Sequence, residues 1–434
     1  MSKIIDYIKN KKILILGFGR EGKSTFAYIR KHLPEKKLTI ANESKPDIKA
    51  ENVDIIYGED YLKYLGDFDI VFKSPGIAFL DDNMYPETTE ITCQTDMFLR
   101  FCKPTVVGIT GSKGKTTTST LIYEMLRHGG INTCLIGNIG VPVFEKADED
   151  ESLVAVIEMS SHQLEFTTAS PHVAVLVNIY EEHLDHYKDG FKGYVNAKLN
   201  IALHQSEDDI FIYNPEQELD GVVDWDKTIK GIARPVTFTA SSNDEFVNEL
   251  WNSTEHLKGE HNRQDIAYAL AVARVFGVSD DAIRTAIKDF GGIEHRMEYV
   301  GVINDIAWYN DSIATIPTAV KGAVKAIGNV DTLIFGGLDR GIDYTDFIEF
   351  LKNSDIKNLI GLPETGHNII KSLIDLGCDK NTVCAKDMQD AVISASKCTE
   401  KGKSCLFSPA AASYNFYKNF EEKGRHFKSL VKEL

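Results

Sequence analysis

A chain of 434 residues has room for about two to four domains, and at 43% hydrophobic and 26% charged residues each can bury a core. The net charge of −16 (48 basic against 64 acidic side chains) argues against general affinity for nucleic acid or an anionic membrane. Any anionic ligand must be held by local lysines, arginines and helix N-termini. Seven scattered cysteines without a CxxC pair fit reduced thiols and no structural zinc. No apolar run approaches the ~20 residues of a bilayer span, and Met1–Ile4 lacks the pattern of a signal peptide, so the expected compartment is the cytoplasm.

Residues 12–102 read as an alternating α/β unit. A short strand, Ile13–Leu16, runs into Gly17-Phe18-Gly19-Arg20-Glu21-Gly22, with a helix predicted from about Lys23 to Lys31 and a second strand from Lys37 to Ala41. This is the dinucleotide fingerprint in its proper context. Asn42 stands where an acidic ribose partner is usual, which weakens a nicotinamide reading and leaves a pyrophosphate ligand open. The strand Ile70–Phe72 stops at Lys73-Ser74-Pro75-Gly76, where Ser74 and Gly76 offer either phosphate donors or a plain turn.

The next segment, 103–293, holds the strongest motif. An apolar strand (Thr105–Ile109) enters Thr110-Gly111-Ser112-Lys113-Gly114-Lys115-Thr116-Thr117, and a helix follows with Leu121, Ile122, Met125 and Leu126 at helical spacing. Gly111 and Gly114 let backbone N–H groups approach phosphates, Lys115 supplies a point charge and the Thr116 hydroxyl can ligate Mg²⁺. The spacing is TGxxGKT, tighter than the strict Walker pattern. Gly137-Asn138-Ile139-Gly140 reads most simply as a turn. The strand Val154–Ile157 ends in Glu158, which is either a hard ligand for Mg²⁺ or a solvated strand end. Another apolar strand, Val173–Asn178, runs into Glu181-Glu182-His183-Leu184-Asp185-His186.

The predicted helix Phe191–Leu203 places Lys198 on the apolar stripe of Phe191, Tyr194, Val195, Ile201 and Ala202. On the residues alone, a snorkelling lysine is the favoured reading. The competing one is a buried amine that reacts with CO₂ to give a carbamate. Gly259–Asp265 opens a helix through Val272, and Gly291-Gly292 marks a boundary. Beyond it come Glu294-His295-Arg296, the strands Met297–Ile303 and Ala307–Tyr309, and Asn310-Asp311-Ser312. Thr332–Phe335 follows with Gly336-Gly337-Leu338-Asp339-Arg340-Gly341, then Ser404–Phe407 with Ser408-Pro409-Ala410. Three strand ends carrying glycines and polar residues indicate a further ligand-binding α/β domain.

Taken in order, these pieces resemble the Mur ligase family along essentially the whole chain. The anchors are Thr110–Thr116, Gly137–Gly140, Glu158 with Ser160-Ser161, Asn178 with Glu182–His186, Lys198, His261-Asn262, His295-Arg296, Asn310–Ser312, Gly336-Gly337 and Ser408–Ala410. The resemblance implies three Rossmann-like α/β domains: 1–102 for a UDP-linked substrate, 103–293 as a P-loop-type ATPase domain, and 294–434 for an amino acid. It also implies ATP-dependent addition of D-glutamate to UDP-N-acetylmuramoyl-L-alanine through an acyl phosphate, in peptidoglycan precursor synthesis. By the same resemblance Lys115 and Thr116 hold phosphates and Mg²⁺, while Glu158 and His183 ligate metal. Lys198 becomes a carbamylated lysine, in place of the snorkelling favoured on the residues alone. Asn262, Arg296 and Asp311 meet ATP, the last two through closure of the third domain. Gly17, Phe18, Gly19, Asn42 and Ser74 lie at the uridine diphosphate, and Asn138 and Ser160 at the muramoyl-alanyl part. Thr315, Arg340, Ser413 and Phe420 match positions for the incoming glutamate. A monomer is the family's usual habit.

The chain departs from the family pattern at Ile313, where a lysine is expected, and at Ile316 and Asp265, where asparagines are. Lys113 replaces an asparagine of the phosphate loop and adds a cation. Competing functions are a related ligase with another amino-acid acceptor, an ATP-binding relative with lapsed catalysis, and a nicotinamide dehydrogenase built on Gly17–Gly22.

Overall fold

The structure, a computed structural model, describes residues 2–81, 84–139, 141–214, 234–237, 244–254, 256–257, 260–413 and 416–434. Gly140 and Gly259, both part of sequence motifs above, lie outside the described residues. The chain divides into two compact units, Met1–Phe290 and Gly291–Leu434. The first carries two sheets and the second carries one, so the architecture is α/β throughout.

In the first sheet β1 (Ile13–Leu16), β2 (Leu38–Asn42), β3 (Val53–Tyr57), β4 (Ile70–Lys73) and β5 (Glu90–Thr92) lie in the order β3-β2-β1-β4-β5. All pairings are parallel. β1 is buried at every residue, which is why its sequence is a continuous apolar run without alternation. The following helix is Arg20–His32 and begins at once after Gly19. The predicted start at Lys23 is three residues late, because the fingerprint's own Arg20-Glu21-Gly22 already forms the first turn.

The second sheet is also wholly parallel, with β6 (Thr105–Thr110), β7 (Thr133–Gly137), β8 (Val154–Glu158), β9 (Val173–Leu176), β10 (Ile210–Tyr213) and β11 (Arg234–Thr237). The order β11-β10-β9-β6-β8-β7 puts β6 between β8 and β9. The carboxyl ends of these three central strands therefore converge, and open α/β sheets bind ligands at such a crevice. The two sheets share a core, where Tyr28 of the helix Arg20–His32 meets Phe144 of the helical turn Val143–Lys146 at 4.8 Å between ring centroids.

The second unit contains β12 (Glu298–Ile303), β13 (Ile306–Asn310), β14 (Val330–Gly337), β15 (Asn358–Glu364), β16 (Asn381–Cys384) and β17 (Ser404–Phe407). The order is β12-β13-β17-β14-β15-β16, and only the β12–β13 hairpin is antiparallel. Among the described residues no helix is long and apolar enough to cross a membrane.

Candidate active site

β6 delivers the phosphate loop to the middle of its sheet. Gly111 and Gly114 have φ of 159° and 80°, and Gly114 caps the helix Lys115–His128. A side chain at Gly114 would run into the Asp265 carboxylate, so the left-handed turn and its close approach both require glycine. Ser112 ties the loop to its surroundings: its Oγ accepts from the Tyr180 N–H at 2.8 Å and lies 2.6 Å from the Tyr194 hydroxyl. Lys113 is exposed and paired with Glu182. Lys115 Nζ folds back onto the Gly111 and Ser112 carbonyls at 2.7 and 3.0 Å. Thr116 and Thr117 sit in the first helical turn, at the positive end of the helix dipole, with Thr116 half-buried and Thr117 buried.

Glu158 closes β8 opposite Ile109, and its side chain is only 1% exposed. This overturns the solvated-strand-end reading: β8 is covered on both faces, so its last side chain points into the crevice and not into water. Asn138 Nδ2 donates to Oε1 at 2.7 Å, while Oε2 is buried without a hydrogen-bond partner. The Gly137–Ile139 turn and the strand-end carboxylate, separate features in the sequence, are thus one structure. An anionic oxygen left unpaired in a dry site fits a hard cation. Among the described residues no three His, Cys, Asp or Glu side chains converge into a metal cage.

Lys198 lies in the helix Gly190–Leu203 and is 1% exposed, so the snorkelling reading fails. Its stem runs inward, its Nζ donates to the Gly111 carbonyl at 2.8 Å and it packs over the Tyr194 ring at 4.6 Å. Burial, then the Lys115 charge, hold its pKa well below the ordinary lysine value, against the pull of Glu182 and Glu158. Two lysine nitrogens, Lys115 and Lys198, therefore share one carbonyl oxygen.

His183 follows Glu182 in left-handed backbone, φ 54°, and is exposed. Its ring lies 5.0 Å from that of His162, which stacks on His186 at 3.8 Å. Burial, then His186 and His183, push the His162 pKa down to about 3, so that ring is neutral. His186 lies 3.3 Å from Glu165, which also pairs with buried Lys73 at 3.1 Å. Sequence reasoning missed this Lys73–Glu165–His186–His162 row. Its one signal was a lysine closing an otherwise apolar strand.

The glycine turn after β1 gathers a second group. Gly17 has φ 87°, and a Cβ there would sit 2.7 Å from Ser74 Cβ. Ser74 Oγ donates to the Gly17 carbonyl at 3.1 Å, and the Phe18 N–H donates to Asn42 Oδ1 at 3.0 Å. Gly19 is exposed, and Arg20 reaches the Asn138 carbonyl at 2.9 Å, which joins this turn to the Glu158 turn. Ser160 forms a capping box with Gln163 for the helix Ser161–Leu164, a structural task whatever else it contacts. Asn262 is half-buried in the first turn of the helix Glu260–Val275. Asp265 in the next turn accepts from Thr118 Oγ1 at 3.0 Å.

In the second unit Arg296 is exposed and Asp311 is buried. Asp311 accepts from Ser408 Oγ at 2.6 Å and from the Met297 N–H at 3.1 Å, and burial raises its pKa to about 6. Ser413 is buried with its Oγ unpartnered, and Phe420 stands edge-on to His295 at 5.9 Å. Thr315 is half-buried and Arg340 exposed. Ile313 is half-buried and Ile316 half exposed, so neither apolar replacement fills a core gap.

Residues 109–284 match the Mur ligase middle domain. The chain is 33% identical to a UDP-N-acetylmuramoylalanine--D-glutamate ligase of Clostridium botulinum (strain Loch Maree / Type A3), over 100% of this chain and 99% of the relative. It is 33% identical to the enzyme of the same name from Clostridium kluyveri, over 99% and 98%. Among solved structures, the MurF ligase from Thermotoga maritima in complex with ADP superposes with a TM-score of 0.55, covering 98% of this chain and 96% of that one. At 15% identity that likeness concerns the fold. With relatives matching from end to end, the chain belongs to the Mur ligase family.

Proposed function

We propose that this protein is an ATP-dependent ligase that joins D-glutamate to UDP-N-acetylmuramoyl-L-alanine in peptidoglycan precursor synthesis, acting in the cytoplasm as a monomer. The observation that carries the reading is the cluster at the phosphate loop: Lys115 and Lys198 on one carbonyl, beside a buried carboxylate with an unpaired oxygen. Forming an amide through an acyl phosphate requires two polyanions to be held together and their developing charge neutralised, which needs cations more than a protein nucleophile. The names of the relatives support this substrate pair over another amino-acid acceptor or a lapsed enzyme.

In this reading backbone N–H groups of Gly111–Thr117 cradle the ATP phosphates, and Lys115 leaves its carbonyl partners to meet them. Asn262, Arg296 and Asp311 bind the remainder of the nucleotide. Mg²⁺, when bound, neutralises phosphate charge and polarises the transferring phosphoryl group; Thr116, Glu158 and His183 are the residues to hold it. Asn138 holds Oε1 of Glu158 and leaves Oε2, which has no hydrogen-bond partner, as the oxygen that would take the cation. Lys198 is carbamylated: the buried neutral amine adds to CO₂, a C–N bond forms, and one proton is released. The amine thereby becomes a carboxylate-like ligand, which relieves the crowding of two amines on the Gly111 carbonyl.

Gly17, Phe18, Gly19, Asn42 and Ser74 receive the uridine diphosphate, and Asn138 and Ser160 the muramoyl-alanyl group. Thr315, Arg340, Ser413 and Phe420 receive D-glutamate, whose carboxylates suit a bidentate arginine. The corresponding functional division is 1–102, 103–293 and 294–434. Phosphate release measured with the nucleotide substrate and a panel of amino acids tests the assignment. Release with D-glutamate alone supports it, and equal release with another amino acid counts against it.

A further inference from the structure

The second unit contains a cavity of about 250 Å³, lined by Gly337, Leu362, Pro363, Met388, Tyr417 and Lys423, with Lys386, Asp387, Phe416 and His426 completing the wall. It opens at the carboxyl ends of β14, β15 and β16, where doubly wound sheets take ligands. Leu362, Pro363 and Met388 make much of the wall apolar. The cavity lies at the small end of ligand pockets.

Lys423 gives the cavity its chemistry. It is 2% exposed, and its Nζ donates to the Gly336 carbonyl at 2.9 Å. That bond uses one of three ammonium donors. A Cβ at Gly337 would come within 3.1 Å of the same nitrogen, so glycine keeps this side of the ammonium open. The other charges on the wall nearly cancel: Asp387 offsets Lys386, and Asp387 already caps the helix Met388–Cys398 by accepting from the Asp390 N–H. His426 is held by the Tyr417 hydroxyl at 2.8 Å. Among the described residues of the wall the one carboxylate, Asp387, makes no ion pair with Lys423, and burial lowers the pKa of this lysine to about 7.

From this juxtaposition of a buried lysine with a small apolar cavity at a sheet's carboxyl edge, we infer that the second unit binds a small monocarboxylate with an apolar ring or branched body. The carboxylate pairs with Lys423 and the body fills the space against Leu362, Pro363 and Met388. The cavity's described wall includes none of Thr315, Arg340, Ser413 and Phe420, the residues proposed for D-glutamate.

Isothermal titration calorimetry of the full chain with benzoate and with 4-methylpentanoate tests this without reference to ligase activity. Saturable one-to-one binding is expected, at least about tenfold tighter than that of benzyl alcohol, and about tenfold weaker in Lys423→Met. Where that variant does not fold, labelling of the wild-type chain with acetic anhydride, read by peptide mass spectrometry, replaces it. Benzoate should then slow modification of Lys423 relative to other lysines. No saturable binding up to solubility, equal affinity for benzyl alcohol, unprotected Lys423, or displacement of benzoate by D-glutamate would each overturn the inference.

Discussion

Lys198 and Lys423 are alike in burial and in their immediate partner, and differ in everything around them. Each is almost fully enclosed, and each donates to a glycine carbonyl at the carboxyl end of a parallel strand. Lys198 shares its carbonyl with Lys115 and feels the carboxylates of Glu158 and Glu182. Lys423 faces an apolar cavity, and desolvation alone accounts for its shift. Burial by itself therefore lowers a lysine's pKa; the neighbours decide its use. Beside the Glu158 carboxylate, with its unpartnered oxygen, and the Gly111–Thr116 loop, the amine sits in a charged cluster. Beside apolar side chains it waits for a single counter-ion.

The largest expected effect comes from Lys198→Arg, which keeps a long basic side chain and cannot form a carbamate. Turnover should fall by about 10²–10³, as for loss of one transition-state contact, while ATP binding followed by fluorescence survives. An active Lys198→Arg enzyme would erase the distinction between the two lysines.

Lys423→Met probes the other side through stability. A lysine whose pKa falls from 10.5 in the unfolded chain to about 7 in the native one binds fewer protons when folded between those values. Its penalty is fully present below pH 7 and fades as pH rises toward 10.5. Wild type should gain about 3–4 kcal/mol relative to Lys423→Met between pH 7 and 10 in urea unfolding. A pH-independent difference would remove the claim that burial lowers the Lys423 pKa.

Asn138→Ala should matter less. It frees Glu158 Oε1 and loosens the carboxylate that sets Lys198 apart, costing about tenfold in turnover, or roughly 1.4 kcal/mol. Unchanged turnover would reduce Asn138 to a turn residue. The smallest change is expected of Lys113→Ala, because the lysine is exposed and already paired with Glu182. Exposed pairs are worth about 0–1 kcal/mol, so ATP affinity should weaken only a few-fold.

Much of this was legible in the sequence where the signal is local. TGxxGKT between strand and helix fixes the phosphate loop because few residues tolerate its φ angles, and Ser404–Phe407 was bounded to the residue. Tertiary relations were less legible. Periodicity put Lys198 on an apolar stripe, but could not tell whether solvent lies beyond the stem. Asn138 and Glu158 are 20 residues apart and meet only because β7 and β8 are neighbours. Lys423 was overlooked although it shares a helical stripe with Phe420, Gly424, Phe427 and Val431, since a lysine in the helix Phe420–Lys432 reads as solvated.

The central claim is tested most directly by phosphate release from ATP with UDP-N-acetylmuramoyl-L-alanine, with and without D-glutamate, in bicarbonate buffer with Mg²⁺. Release that requires both substrates, and that falls when bicarbonate is removed, is the predicted result. ATP binding without release in the presence of both substrates would contradict it.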